Sequence, residues 1–501
     1  MADAPSDAPT RGRADLTHGP IGSTLLMFSL PVLGANIVQS LSGSINAVWV
    51  GHFLGEQALT ATSNANVVLF FLLGLVFGIG MASTILIGQA IGASDTDRAR
   101  RVVGTTATFF VVASVGLGLI GYLATPTVLH LMGTPADAQP LAIDYLRILF
   151  CAIPFLYLVT FIGMVLRGSG DSRTPFVFMV ISAALDAGFN PLLIRGYGPF
   201  PQMGIAGAAA STLISQAVTL VAMLGWIYAR GYELRLHGPS LAYLRPDPEL
   251  LKTSIVKGLP MGLQMIVISG SEIVMMRLVN GFGSETTAGY GVAVQLWTYV
   301  QMPALAVGAA VSSMVAQNVG ARQWDRVDRT ARAGVLLNLV MTGLMVALLY
   351  ATNHLALGMF LPADSPSIAV AARINQIVTW TFIPFGVTIV LFGVVRATGA
   401  VTAPLVILFI SMVIVRIPFA KAMVPHWGAD AIWWSFAVGS FVALLLAGLY
   451  YRFGGWRAAR MMSSEPPAPV APAAHVGPTS VTGAMPAPEA AVPEATASGQ
   501  N

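Results

Sequence analysis

From about residue 21 to residue 455 the chain alternates long apolar runs with short polar breaks. Each run passes the ~18 residues at which an apolar stretch reads as a membrane span. Six runs occupy the first half, near residues 23–50, 59–91, 102–123, 138–166, 174–194 and 205–228. Six more follow near 259–279, 287–319, 331–355, 368–395, 401–424 and 431–451. The pattern predicts an all-α integral membrane protein of twelve transmembrane helices, because in lipid every backbone amide must find its partner inside the helix. An even count puts both chain ends on one side of the bilayer.

The two sets of six are copies. Gln89-Ala90-Ile91-Gly92-Ala93 returns about 228 residues later as Gln317-Asn318-Val319-Gly320-Ala321. Nearly the same offset carries Leu30-Pro31 onto Leu259-Pro260, Arg167-Gly168-Ser169-Gly170 onto Arg396-Ala397-Thr398-Gly399, and Pro175 onto Pro404. Four matches in order predict two parallel six-helix repeats, an N-lobe over 21–228 and a C-lobe over 259–455. Membrane proteins built this way place their site between the halves. The early prolines Pro31 and Pro260 each remove a backbone donor and are candidate structural hinges.

Composition narrows the class further. The chain is 55% hydrophobic and 10% charged, with mean hydropathy +0.74, against about 25% charged residues in soluble domains. A net charge of +4 does not point to nucleic acid, because the basic residues form no single stripe. They fall instead in even-numbered connections, as in Arg98, Arg100, Arg101, Arg230, Arg235, Arg322, Arg326 and Arg329, and at the C-terminal end. By the positive-inside rule this predicts a multi-pass protein of the inner (plasma) membrane with both termini cytoplasmic. Residues 1–20 read as a cytoplasmic N-terminal segment and 229–258 as a cytoplasmic linker, with a short interfacial helix over 247–257. Residues 456–501, rich in Pro and Ala, read as a disordered cytoplasmic tail. The single cysteine, Cys151, lies in an apolar run and is expected to be an inert core thiol.

The segments just quoted, with Asn46-Ala47-Val48-Trp49-Val50-Gly51, Asn190-Pro191-Leu192-Leu193-Ile194, Gly204-Ile205-Ala206-Gly207 and Arg416-Ile417-Pro418, resemble the multidrug and toxic compound extrusion (MATE) transporters, within a wider flippase-related superfamily. The resemblance covers about residues 19–455. It implies two six-helix lobes around a V-shaped central cavity, and export of amphipathic, often cationic compounds by antiport with protons or sodium. Three positions depart from the family pattern. Asn46 stands where members often carry an aspartate, Asp186 and Asn190 exchange the usual order of Asn and Asp, and the seventh helix carries its acid at Glu272.

A carboxylate at membrane depth costs at least ~2.5 kcal/mol on insertion scales, so one retained there is a functional candidate. Asp186 and Asn190, one helical turn apart, share a face of the fifth helix. Gln39 and Asn46 on the first helix, with Thr212 and Gln216 on the sixth, complete an expected N-lobe polar cluster. Protonation of Asp186 from outside and its release to the cytoplasm is the expected coupling step. Glu272 is the rival ion-coupling residue and a possible sodium site, unless Arg277 or Arg416 neutralises it permanently. Gln264, Met276, Gln295, Trp297, Tyr299 and Met302 are candidate substrate-cavity residues, since methionine repacks around varied ligands and aromatic faces attract cations.

Enzymatic readings find little support. Gly168-Ser169-Gly170 lacks the Gly-Lys-Ser/Thr ending of a phosphate-binding loop, and the seven histidines are scattered without metal spacing. No enzyme activity and no cofactor are expected beyond the coupling ion, H+ or Na+. The expected partners are small-molecule drugs or toxic metabolites and the lipid bilayer, with the chain acting as a monomer. A flippase for a lipid-linked or polar metabolite is the alternative, and the intramembrane acids weigh against it.

Overall fold

The computed structural model describes residues 16–462, apart from 132, 136, 137, 363 and 364. The N-terminal segment up to residue 15 and the tail beyond residue 462 lie outside the described residues. Within them, every regular element is helical.

The N-lobe is built from α1 (Ile21–Leu54), α2 (Glu56–Gly92), α3 (Thr96–Leu131), α4 (Gln139–Gly168), α5 (Arg173–Arg195) and α6 (Ile205–Ala229). The C-lobe repeats them as α7 (Pro248–Asn280), α8 (Ser284–Gly320), α9 (Trp324–Gly358), α10 (Ser367–Val378) running on into α11 (Phe382–Thr398), α12 (Thr402–Phe409) running on into α13 (Ile417–Trp427), and α14 (Asp430–Phe453). Eleven of these rods are long and apolar enough to cross a membrane, and α2 adds the apolar stretch Val76–Gly92. The tenth rod bends through a 3-10 turn, Thr379–Thr381. The eleventh contains a π-helical segment, Ile410–Arg416, of the kind that often accompanies functional sites.

The duplication extends to the backbone. Among the described residues the two non-glycine positions with positive φ are Ser94 and Arg322, both at φ 59° and both in the repeated motif. Each follows a helix end closed by paired turns: Asp95 N donates to Ala90 O at 2.9 Å and Gln323 N to Asn318 O at 2.8 Å. This is the left-handed helix stop that satisfies the last carbonyls.

The lobes converge at the end of the bundle that carries the chain ends. One apolar cluster there takes in Ile85, Leu86 and Ala90 of α2 together with Ala310, Met314 and Val315 of α8. Toward the opposite end, the clusters around Tyr290 and Trp433, and around Val300 and Leu349, belong to the C-lobe alone. Glycine makes the close approach possible: a methyl group on Gly78 would strike the backbone of Gly258 and Gly262.

Three expectations change. Residues 247–257 are not a separate interfacial helix but the start of α7, capped by Asp247, which accepts from Glu249 N at 2.9 Å. The short element in the linker is instead the 3-10 helix Gly238–Leu244, fastened to α3 where Thr108 Oγ1 donates to Leu244 O at 2.7 Å. Cys151 is exposed on α4 rather than buried in a core. The first residues of the expected tail are packed, with Trp456 buried and stacked on Tyr451 at 5.0 Å.

Candidate functional site

In the N-lobe, α5 and α6 pack face to face and bring Asp186 against two hydroxyls. Ser211 Oγ lies 2.8 Å from both the backbone oxygen and Oδ1 of Asp186, and Thr212 Oγ1 donates to Oδ1 at 3.2 Å. Gly207 lets the two helices approach, for a methyl group there would strike the backbone of Leu193 on α5. One turn along α5, Asn190 Nδ2 donates to Asn46 Oδ1 at 2.7 Å, and Asn46 Nδ2 reaches the Tyr145 hydroxyl at 3.4 Å. Asn190 Oδ1 is buried with no donor. Gln216 Nε2 donates to Ser182 Oγ at 3.1 Å, one turn before Asp186. Asp186, Asn190, Asn46 and Thr212 therefore come together as a cluster with Gln216 at its margin. Gln39 is exposed on α1 and makes no hydrogen bond to it.

The C-lobe acid sits in different company. Arg416, 3% exposed, donates from Nη1 to Glu272 Oε1 at 3.0 Å, while the Tyr290 hydroxyl donates to Oε2 at 3.2 Å. The guanidinium lies 3.5 Å over the Phe436 ring, and Tyr290 stacks on Trp433 at 5.6 Å. The π-helical segment ends at Arg416, and Met412 within it accepts from Ser271 Oγ at 3.3 Å. This donor set favours the static ion pair over the sodium site that the sequence left open at Glu272. A guanidinium already holds one carboxylate oxygen, and the neighbouring Ser271 hydroxyl is directed to a backbone oxygen. No group of three His, Cys, Asp or Glu side chains gathers at metal spacing among the described residues.

The expected cavity residues separate into two groups. Gln264, Trp297 and Met302 are buried: Trp297 Nε1 donates to Asn375 Oδ1 at 3.0 Å, and Gln264 Nε2 turns back to Pro260 O at 3.3 Å. Of the three, Trp297 belongs to the C-lobe cluster around Tyr290. Met276 is exposed one turn beyond Glu272, and Gln295 and Tyr299 are half-buried. Sequence reasoning missed Ser211, Tyr145, Tyr290 and Phe436. Tyr290 had a legible signal, since it precedes Trp297 by two helical turns and so shares its stripe.

The repeated motif itself forms a reciprocal fastening between the lobes. Gln89 Nε2 donates to Ala397 O at 2.8 Å, and Gln317 Nε2 donates to Gly168 O at 3.0 Å, each glutamine buried. Both acceptors occupy the same place in their repeats. Gly92 and Gly320 let the backbones meet, for a methyl group on either would strike the backbone of the other motif's glutamine. The chain ends are fastened crosswise as well. Asn318 Nδ2 donates to Leu16 O at 3.0 Å and Arg326 to the carbonyls of His18 and Gly19 at 2.8 and 2.9 Å. Arg98, the repeat partner of Arg326, donates to Met462 Sδ at 3.0 Å.

Two helical lobes repeated in parallel, joined at one end and each holding a polar group at membrane depth, define a transporter fold. The MatE family model matches residues 31–192 and 260–421, once per lobe and starting at each of the paired prolines. The chain belongs to this family, the multidrug and toxic compound extrusion transporters. It is 36% identical over 432 residues to "Probable multidrug resistance protein YoeA" of Bacillus subtilis (strain 168), covering 86% of this chain and 93% of that protein. It is 31% identical over 454 residues to "Probable multidrug resistance protein YpnP" of the same organism, covering 90% and 99%. Its fold matches the outward-facing conformation of a multidrug resistance MATE family transporter with TM-score 0.81 at 20% identity, covering 89% of this chain and 98% of that one.

Proposed function

We propose that this protein is a secondary active exporter of amphipathic, cationic compounds, driven by cation entry through the N-lobe and working by alternating access. The observation that carries this reading is the environment of Asp186: a mid-helix carboxylate held by two hydroxyls and, among the described residues, by no guanidinium or ammonium. Such a group is free to exchange a cation, whereas Glu272 is already neutralised by Arg416. The hydroxyl donors occupy Oδ1 and leave Oδ2 to take a proton. The orphaned Asn190 Oδ1 one turn away is an acceptor of the kind that the resulting O–H needs. Binding of a cationic substrate favours the ionised acid, so substrate and proton compete and the exchange is antiport.

The fastened end, rich in arginine, lies in the cytoplasm on this reading. The glutamine pair then closes the cytoplasmic face, consistent with the match to an outward-facing transporter. The relatives' names as multidrug resistance proteins support the substrate class. Ethidium transport in proteoliposomes under an imposed proton gradient, and separately under a sodium gradient, tests the proposal. Wild-type transport is expected to follow the proton gradient and Asp186→Asn to lose it. Full proton-driven transport by Asp186→Asn would overturn the assignment.

A further inference from the structure

A cavity of about 660 Å³ opens where α9, α11 and α14 meet at the fastened end of the C-lobe. Its rim carries three guanidinium groups, Arg332, Arg452 and Arg457, against one carboxylate, Asp328. That carboxylate is already engaged: Arg457 Nη2 lies 2.8 and 2.9 Å from its two oxygens, and the Tyr451 hydroxyl donates to it at 3.2 Å. Arg332 and Arg452 therefore leave the rim with uncompensated positive charge.

Below the rim the wall is apolar. Leu336 and Leu339 follow Arg332 by four and seven residues, which keeps all three on one face of α9 and carries the wall ~6 and ~10 Å toward the middle of the bilayer. Leu336 is 64% and Leu339 41% exposed. Charge at headgroup depth above an apolar groove is the complement of an amphiphile with an anionic head. Basic pockets between membrane helices on the cytoplasmic side hold such headgroups.

We propose that this groove is a binding site for an anionic phospholipid, its phosphate between Arg332 and Arg452 and an acyl chain along Leu336 and Leu339. In a bilayer some lipid must fill the groove, and the uncompensated arginines select which. The site is separate from the transport pathway proposed above, so failure of either reading leaves the other standing.

Native mass spectrometry of the full chain, released from mixed micelles containing phosphatidylglycerol and phosphatidylcholine, tests it. The wild type is expected to retain one phosphatidylglycerol in preference to phosphatidylcholine. Arg332→Gln with Arg452→Gln should weaken retention by about 5-fold per arginine. Leu339→Trp, which fills the groove and leaves the arginines in place, should also weaken it, and millimolar inorganic phosphate should not displace the lipid. Arg230→Gln, at the same end but in the N-lobe, should change nothing. Equal retention of the two lipids by the wild type, an unchanged double variant, displacement by phosphate, retention by Leu339→Trp equal to wild type, or an equal loss in Arg230→Gln would each overturn the proposal.

Discussion

The two lobes share a scaffold and differ in what they place at membrane depth. In the N-lobe an aspartate meets serine and threonine hydroxyls; in the C-lobe a glutamate meets an arginine and a tyrosine. The contacts preserved between the copies are those in which a side chain meets backbone, or backbone meets backbone: glutamine to carbonyl, glycine against helix, the left-handed stops at Ser94 and Arg322. Contacts between side chains have diverged. Geometry set by backbone is hard to alter one residue at a time, whereas a buried acid can be traded for an amide whenever its partners change with it. Hence one lobe holds a carboxylate among hydroxyls, the group to which we assign cation exchange, and the other holds an ion pair.

The strongest way to break the comparison is to remove the two acids separately. Asp186→Asn is expected to reduce proton-driven ethidium transport to background, with Glu272→Gln keeping a measurable proton-dependent rate; the opposite result would exchange the roles of the lobes. Stability should separate the C-lobe partners next. Glu272→Gln strands a guanidinium whose side chain is 4% exposed, and should cost about 3 kcal/mol. Arg416→Gln leaves a carboxylate that is 41% exposed; if that face opens on the transport cavity, as the proposal requires, water reaches it and the cost should be smaller, about 1 kcal/mol. Thermal unfolding in detergent reads the order, and equal losses would mean that the pair is not buried on one side as described.

A smaller effect sharpens the symmetry. Gln89→Ala and Gln317→Ala each remove a buried donor to a carbonyl of the other lobe and should cost about 1 kcal/mol apiece. The two losses should match, and both should raise labelling of a cysteine placed at the fastened end. A large inequality would show that only one arm of the fastening carries load. The smallest expected change is a gain: Ser94→Gly or Arg322→Gly relieves a left-handed backbone in a side-chain-bearing residue and should raise stability by less than about 1 kcal/mol.

The spans were legible because lipid demands long apolar helices, and the duplication because Gln89 to Gly92 recurs in register as Gln317 to Gly320. Asp186 and Asn190 could be paired from helical spacing, since an acid at membrane depth draws attention to its own face, whereas Asn46 and Thr212 were legible only as polar residues within apolar runs of the same lobe. Glu272 and Arg416 were both visible, but 144 residues separate them, and spacing within a helix says nothing about which of two arginines will reach the acid. The burial of Trp297 and Gln264 was not legible for a related reason. In a membrane helix both the lipid face and the core are apolar, so the periodicity that marks a buried face in water loses its contrast. The linker helix was misplaced because Pro260 looked like a break, although neighbouring contacts let α7 run through it from Pro248.

The crosswise hold on the chain ends has a consequence for how the two halves recognise each other. The strip before α1 lies on the C-lobe, and the strip after α14 reaches the N-lobe at Arg98. Each half thus carries a piece that completes its sibling, as in an exchanged-arm dimer whose two subunits happen to be joined in one chain. Cutting the covalent link within residues 229–247 leaves both arms intact, so separately synthesised halves retain the means to find one another. Trimming either arm weakens that recognition, leaving the glutamine pair and the apolar contact between α2 and α8, while sparing every membrane-crossing helix.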